Sequence, residues 1–352
     1  MIAGYLGSQS YDRPILFRAL EEIDDTGCPG QYNVAVLQLL SDLPRGIMLR
    51  RLLPAAFVFV SLPALLAQLS YTKGQPVYPA YEGWQQMPDG SYDMLFGYMN
   101  ENWEEEINVP VGRDNTIEPS GPDRGQPTRF FPRRNRFVFR VRVPKDWGDK
   151  DVVWTLTTHG KTLKAYGSLR TDYMLDDMVF TSETGAIGAG TSSPEIRANQ
   201  PPSLEAAGDT VRSVKVGEPL TLTAHATDDG VPKRKAYGSF QSRAGVDVDV
   251  KDERLIAPHQ STVGSATGLW VALYVYRGEG KIHISPDQPK QWEDTRAGAN
   301  SQWSPLWVPP IPPADGNWTA TVTFDQPGDY VLRWHASDGA LWKDQEITVT
   351  VR

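Results

Sequence analysis

The stretch Phe137-Val-Phe-Arg-Val-Arg-Val143 alternates apolar and polar side chains over most of its length. Successive side chains of a β-strand point to opposite faces, so the odd-numbered residues, all apolar, are predicted to share one face. Val138, Arg140 and Arg142 then occupy the other face. This alternation is typical of an antiparallel strand with one buried and one solvated side.

Short runs of the same kind continue through the chain from about residue 92, separated by Gly, Pro, Asn and Asp. No long stretch keeps the 3.6-residue apolar period of a helix, so the sequence predicts an all-β protein. Residues 92–99, 152–158 and 162–169 are further candidate strands, and His159-Gly160 is a candidate hairpin turn between the last two. We assign these strands to a first β-sandwich domain at residues 75–180.

Residues 181–202 are rich in Gly, Ser and Pro, and this composition predicts a linker before a second domain at 203–352. Seven short strands is the number expected of an immunoglobulin-like (Ig-like) sandwich. The candidate strands of the second domain are residues 211–216, 220–227, 268–276, 281–284, 318–324, 329–336 and 345–351.

Several pieces of the second domain carry a family resemblance: Val216-Gly-Glu-Pro-Leu-Thr-Leu-Thr-Ala224, Ala226-Thr-Asp-Asp-Gly230, Pro327-Gly-Asp-Tyr-Val-Leu-Arg333 and Ala336-Ser-Asp-Gly339. Over residues 199–352 the chain resembles PKD-type and related bacterial Ig-like domains, which recur in exported and surface proteins. Long insertions at 233–267 and 286–317 depart from the compact pattern. The resemblance implies a sandwich fold and no particular active site.

Residues 48–67 read as a secretory signal peptide, with Arg50 and Arg51 before an apolar run that ends at Ala67. The run is interrupted by two prolines and is shorter than the roughly 20 apolar residues of a membrane-spanning helix. We therefore expect cleavage near Gln68 and an exported product that is periplasmic, cell-surface or extracellular.

Residues 1–47 precede this signal, although a signal peptide belongs at the N-terminus. We interpret them as a dispensable leader or as the result of a mis-assigned start, with Met48 as the initiator. The alternative is a small cytoplasmic segment before a signal anchor.

Composition narrows the class of protein. The chain has a net charge of −8, which does not suggest nucleic acid as a partner. Its single cysteine, Cys28, lies before the predicted signal, so disulfides are not expected in the mature protein. No common catalytic or cofactor motif was found, and the five histidines are scattered. These features favour a non-enzymatic protein, and no catalytic residue is predicted.

Two Asp-containing loops suggest a Ca²⁺ site formed by Asp228, Asp229 and Asp338, because hard carboxylate oxygens suit that ion. The competing interpretation is that these Asp-Gly sequences only make tight turns, and we prefer it because three carboxylates fall short of a Ca²⁺ coordination shell. His225 and His335 precede the same loops, but the strand alternation places them on opposite outer faces. No other cofactor is predicted.

Four of the eleven tryptophans, Trp292, Trp303, Trp307 and Trp318, lie in or beside the Pro-rich second insertion. Aromatic side chains on a Pro-stiffened loop can stack on a sugar or hold a partner. The alternative is that they pack back onto the sandwich and close it.

The sequence thus predicts an exported, non-enzymatic binding, adhesion or envelope-structural protein made of two β-sandwich domains. Its partner would be an extracellular or envelope protein, or a polysaccharide. The alternative is a secreted carbohydrate-binding or carbohydrate-active protein that uses the Trp-rich loops. Self-assembly through exposed sheet edges is a third hypothesis.

Overall fold

A computed structural model describes residues 72–184, 192–234, 267–290 and 310–352. Ser70–Arg352 forms one compact unit. The predicted signal at 48–67 and the residues before it lie outside the described part. The prediction of an all-β protein is confirmed, since sixteen strands and only two short α-helices occur in the described residues. No described helix is both long enough and apolar enough to span a membrane.

The first half of the unit is a small sandwich with one core between two antiparallel sheets, and the prediction of strands there is confirmed. One sheet has the order β1-β2-β6, the other β4-β7-β8, and β3 pairs with β5. The strands are β1 Val77–Gln86, β2 Tyr92–Asn100, β3 Ile107–Asn108, β4 Asn115–Glu118, β5 Arg129–Phe130, β6 Arg133–Val143, β7 Val152–Thr158 and β8 Lys161–Gly167.

Strand β6 contains the alternating stretch, and its pattern of buried and exposed residues is as predicted. The prediction that all the odd-numbered residues share one face is wrong for Phe137, however. Phe139, Val141 and Val143 lie in the core of the first sandwich, whereas Phe137 lies in a separate cluster with Leu95. Phe137 has a φ of 53°, and the β2–β6 register shifts beside it. Between the pairs Phe96–Phe139 and Tyr98–Asn135, three residues of β6 lie opposite Gly97 alone. This bulge of two extra residues turns Phe137, at its middle, away from the core of the first sandwich.

The predicted hairpin turn is confirmed. Strands β7 and β8 pair up to Thr158 and Lys161, and the two residues between them are His159 and Gly160. Their φ values of 48° and 74° belong to the left-handed region that the favoured two-residue hairpin turns require.

Two short helices follow β8. Helix α1, Asp177–Glu183, begins at Asp176, whose side chain accepts a hydrogen bond from the Val179 amide at 2.8 Å. Helix α2, Pro194–Arg197, begins in the same way at Ser193. Phe180 of α1 is buried in the cluster of Phe137. The described parts of the predicted linker therefore include helix as well as coil.

The second half is a larger sandwich of two four-stranded sheets, ordered β13-β14-β11-β9 and β10-β16-β15-β12. All seven predicted strands are present, and only β10 pairs in parallel, with β16. The eighth strand, β9, is too short and too exposed to show a pattern. The strands are β9 Ser203–Ala206, β10 Val211–Val214, β11 Leu220–Thr227, β12 Trp270–Arg277, β13 Ile282–Ser285, β14 Asn317–Phe324, β15 Gly328–Ser337 and β16 Trp342–Val351.

Tyr330 forms the corner at the start of β15. Its hydroxyl donates a hydrogen bond to the carbonyl of Gln326 at 3.0 Å, and the side chain is 1% exposed. A Cβ at Gly278 or Gly280 would collide with this side chain. The Tyr330 side chain therefore packs directly against Gly278 and Gly280, which leave room for it because they have no side chains.

Candidate functional site

The turn at residues 338–341, called here the Asp338 turn, is held by a buried carboxylate. Asp338 is 0% exposed, and its Oδ1 accepts hydrogen bonds from the amides of Ala340 and Leu341 at 2.6 and 2.7 Å. The Asp338 carbonyl accepts a further bond from the Gly268 amide at 2.7 Å. Aspartate forms such bonds readily within two or three residues, which is why Asp-Gly sequences make turns.

The loop after β11 contains the other two predicted ligands. Oδ2 of Asp228 accepts a bond from the Gly230 amide at 2.9 Å, and Oδ1 of Asp229 accepts one from the Val231 amide at 2.8 Å. The second oxygen of Asp229 accepts the amide of Gln200 at 3.1 Å. The second oxygen of Asp228, Oδ1, is buried and has no hydrogen-bond partner.

Asn199 and Gln200 connect these two turns. Nδ2 of Asn199 donates to Oδ2 of Asp338 at 3.0 Å, while the neighbouring Gln200 amide binds Asp229. Asn199 is 4% exposed, and its Oδ1 has no partner. Asn199 was not predicted as a site residue, although it is the first residue of the Asn199-Gln-Pro-Pro segment that precedes β9.

Burial and neighbouring charge both act on the carboxylates of these two turns. Burial raises the pKa of Asp338 to about 6, and the negative charge of Asp228 adds to that rise. Burial also raises the pKa of Asp228, with the charge of Asp229 acting in the same direction. The amides that donate hydrogen bonds to the Asp338 carboxylate lower its pKa, but by less than burial raises it.

The three predicted ligands are thus only partly brought together. Asn199 and Gln200 connect the Asp338 turn to the loop of Asp228, while both oxygens of Asp229 are occupied by backbone amides. Across the described residues, no three His, Cys, Asp or Glu side chains are grouped as metal ligands. The prediction that these aspartates make turns is confirmed, and the Ca²⁺ assignment stays a prediction.

The two histidines lie on different sheets, as predicted. His225 is exposed on β11, with Nδ1 at 3.3 Å from Oδ1 of Asn317. Nδ1 of His335, on β15, lies 2.6 Å from Oδ1 of Asp344. They do not contribute to one site.

The predicted aromatic site falls mainly outside the described residues, which do not include Trp292, Trp303 and Trp307. Trp318 lies on β14, half-buried, and packs against the core of the second sandwich. Its Nε1 is buried without a partner. The position of Trp318 agrees with a packing role for this one tryptophan.

A set of buried contacts, called here the joint, connects the two sandwiches. Tyr276 of β12 belongs to the second sandwich but is 2% exposed within the core of the first. Its hydroxyl donates to the carbonyl of Gly125 at 2.5 Å. Arg277 forms a two-bond ion pair with Asp123 at 2.9 and 3.0 Å.

Arg333 adds a buried cation to the joint. It is 5% exposed, its Nη1 donates to the carbonyl of Val138 at 2.6 Å, and its Nη2 lies 2.5 Å from Oε1 of Glu346. A guanidinium this deeply buried is tolerated only because its donors are occupied and its charge is compensated.

The Asp338 turn also belongs to the joint. Ala340 and Leu341, whose amides Asp338 binds, are buried with Leu95, Phe137 and Phe180 in one apolar cluster. That cluster therefore draws residues from the first sandwich, from α1 and from the second sandwich. The geometry of the aspartate turn and the packing between the halves are thus linked.

No protein-family model and no curated protein matches the chain. Similar solved structures include domains 4 and 5 of the S-layer protein SbsC, at 12% identity over 58% of this chain and 65% of that chain, with a TM-score of 0.20. The Yersinia pseudotuberculosis adhesin InvE matches at 9% identity over 80% and 61%, and the D00-D0 domain of intimin at 9% over 78% and 100%, each with a TM-score of 0.21.

The chain spans 65% of that SbsC fragment and 23% of a longer SbsC structure. At TM-scores near 0.2 these likenesses carry no argument about function. They also do not distinguish PKD-type domains from other Ig-like domains, so the PKD resemblance stays a prediction.

Proposed function

We propose that this chain is an exported, non-enzymatic binding, adhesion or structural protein that works at the cell envelope or outside the cell. The observation that carries the proposal is the joint, in which Tyr276 and Arg333 of the second sandwich are buried against the first. Two domains of one chain usually move relative to each other unless the interface between them is large and hydrophobic. In the joint, Tyr276 is packed in the core of the first sandwich, and an apolar cluster is shared between the sandwiches. A joint with buried contacts keeps the two sandwiches in one relative orientation, as is expected of a protein that presents a rigid binding surface.

The predicted signal at residues 48–67 supports export. The lack of cysteine after Cys28 agrees with it, since a chain outside the cytoplasm without thiols avoids unwanted disulfides. Stability in that setting has to come from the cores and from the joint. The proposed partner is an extracellular or envelope protein, or a polysaccharide, and self-assembly is included among the possible modes of binding.

The proposal is tested by producing the full chain with a C-terminal tag and separating cytoplasm, envelope and medium. We expect the tag outside the cytoplasm on a product that begins at or near Gln68. The control is the double variant Val58→Arg/Val60→Asp, which places charges in the apolar run and should stay in the cytoplasm. A wild-type product that stays in the cytoplasm with its first 67 residues intact contradicts the proposal.

Binding is tested separately with the exported product. We expect it to sediment with purified cell envelopes. Retention on a glycan that is lost in Trp303→Ala or Trp307→Ala would instead favour the carbohydrate-binding alternative. Phe57→Ala, in the segment removed by cleavage, gives the same mature product and serves as a production control.

A further inference from the structure

Two buried oxygens beside the Asp338 turn have no hydrogen-bond donor. They are Oδ1 of Asn199 and Oδ1 of Asp228, and they come from two separate segments of the chain. Native proteins pair nearly all their buried polar atoms, because an unpaired one loses its hydration without compensation. Two such acceptors next to one buried carboxylate therefore indicate that a positively polarised group belongs there.

The charges give the same indication. The carboxylate of Asp338 is wholly buried, the donors that it meets are neutral amides, and the charge of Asp228 repels it. The nearby cation Lys233 lies 3.3 Å from Glu195. A positive charge near these carboxylates would stabilise their ionised forms.

We propose that Asn199, Asp228 and Asp338 supply ligands to a hard divalent cation, with Ca²⁺ the best fit. All the donor atoms are oxygens, which suit Ca²⁺ and Mg²⁺ rather than softer metals. Oxygens held by three separate segments fit the flexible coordination of Ca²⁺ better than the strict octahedron of Mg²⁺. The proposed set replaces Asp229 of the sequence prediction with Asn199.

The cation would act on the joint as well as on the loops. Asp338 fixes the amides of Ala340 and Leu341, which pack in the cluster shared with Phe137 and Phe180. A cation that fixes the position of Asp338 would therefore also stabilise part of the packing between the sandwiches. The inference rests on the proposed function only for the expected affinity. Ca²⁺-binding modules outside cells have Kd values on the order of 10⁻⁴–10⁻³ M, and we expect a value in this range for an exported protein.

The first experiment is equilibrium dialysis of the purified protein with radioactive Ca²⁺, together with thermal unfolding in EGTA, in Mg²⁺ and in Ca²⁺. We expect one ion per chain. For a Kd on the order of 0.5 mM, about 5 mM Ca²⁺ should raise the unfolding midpoint by roughly 2–3 °C. Mg²⁺ at the same concentration should raise it less.

The matched variants are Asp228→Asn and Asp229→Asn. Each removes one carboxylate charge from the same loop, and each asparagine can still accept the turn amide. We expect Asp228→Asn to lose the Ca²⁺-dependent rise while unfolding in EGTA at the wild-type temperature or above it, because burial disfavours the charge of this carboxylate. Asp229→Asn should keep most of the rise. Far-ultraviolet circular dichroism confirms that both variants are folded.

Absence of Ca²⁺ binding and of any midpoint shift in the wild-type protein overturns the inference, and would indicate that a side chain such as Arg234 compensates the charge. Equal losses in Asp228→Asn and Asp229→Asn also overturn it, because a diffuse acidic surface would then explain the effect. The measurements use purified protein, so their outcome is independent of whether the chain is exported.

Discussion

The guanidinium carbon of Arg333 lies 3.4 Å from the ring centroid of Tyr276, so a buried cation of the second sandwich rests on a ring that is packed in the core of the first. Cation–π contacts are strongest where water is excluded. The same guanidinium donates to the carbonyl of Val138 on β6. These contacts make the joint a cooperative part of the fold, and its removal should be measurable.

Replacing Arg333 with Met should destabilise the protein by about 2–4 kcal/mol, because it leaves the Val138 carbonyl without its donor and Glu346 without its counter-ion. Equilibrium unfolding in urea measures the loss. The exposed Arg113→Met is the control, expected within about 0.5 kcal/mol of the wild type. Equal stability of Arg333→Met and the wild type would show that the joint contributes little.

Replacing Tyr330 with Phe should cost about 1 kcal/mol, because it removes the hydroxyl that donates to the Gln326 carbonyl and leaves the ring in place. Tyr166→Phe is the matched control, since Tyr166 is 57% exposed. Thermal unfolding of the two variants gives the comparison. A larger effect at Tyr166 would contradict the assignment of the corner.

Replacing Gly97 with Ala should destabilise the protein by at least about 2 kcal/mol. A Cβ there would collide with the backbone of Asn135 and with the Glu82 carboxylate, next to the bulge that redirects Phe137. Gly90→Ala is the control, because its new Cβ would lie 3.9 Å from Cβ of Lys145, an ordinary contact distance, and its only cost is that of a positive φ, about 1 kcal/mol. Urea unfolding ranks them, and the reverse order would contradict the prediction.

Glu82 should make stability depend on pH. Its carboxylate is 2.6 Å from Nη2 of Arg134, but burial is the dominant effect and raises its pKa. A carboxyl group whose pKa is higher in the folded state stabilises the fold when protonated. That contribution is fully present below the unfolded pKa of about 4.3 and is lost as the pH rises through the folded pKa.

As the pH rises from about 4 to about 7, the free energy of unfolding should therefore decrease less in Glu82→Gln than in the wild type. Urea unfolding at a series of pH values, in EGTA, measures the difference between the two proteins. Glu218→Gln, at an exposed position, should follow the wild-type curve. A steeper decline in Glu82→Gln than in the wild type would show that the ion pair with Arg134 outweighs the cost of burial.

Strand positions could be predicted from the sequence because a two-residue period reports burial on one face of a sheet directly. The pattern in β6 predicted one buried face with Phe139, Val141 and Val143, and all three are buried. The pattern in β6 failed at Phe137, because a bulge depends on the partner strand and leaves no local signal. Strand β9 was missed because one buried residue in four makes no period.

The candidate site was only partly predictable for a similar reason. The Asp-Gly sequences of residues 228–230 and 338–339 marked the turns, since aspartate caps nearby amides through local bonds. Asn199 lies 139 positions before Asp338 in the sequence, and only folding brings its amide to that carboxylate. The same folding occupies Asp229 and leaves Asp228 with an unpaired oxygen.

The sequence by itself determined the all-β class, most of the strands and the turn chemistry, because alternation, glycine and aspartate act over a few residues. Only the tertiary structure decided which face Phe137 occupies, how Arg333 and Tyr276 join the sandwiches, and which oxygens beside Asp338 are left without donors. These features depend on contacts between segments far apart in the chain, and no local pattern encodes such contacts.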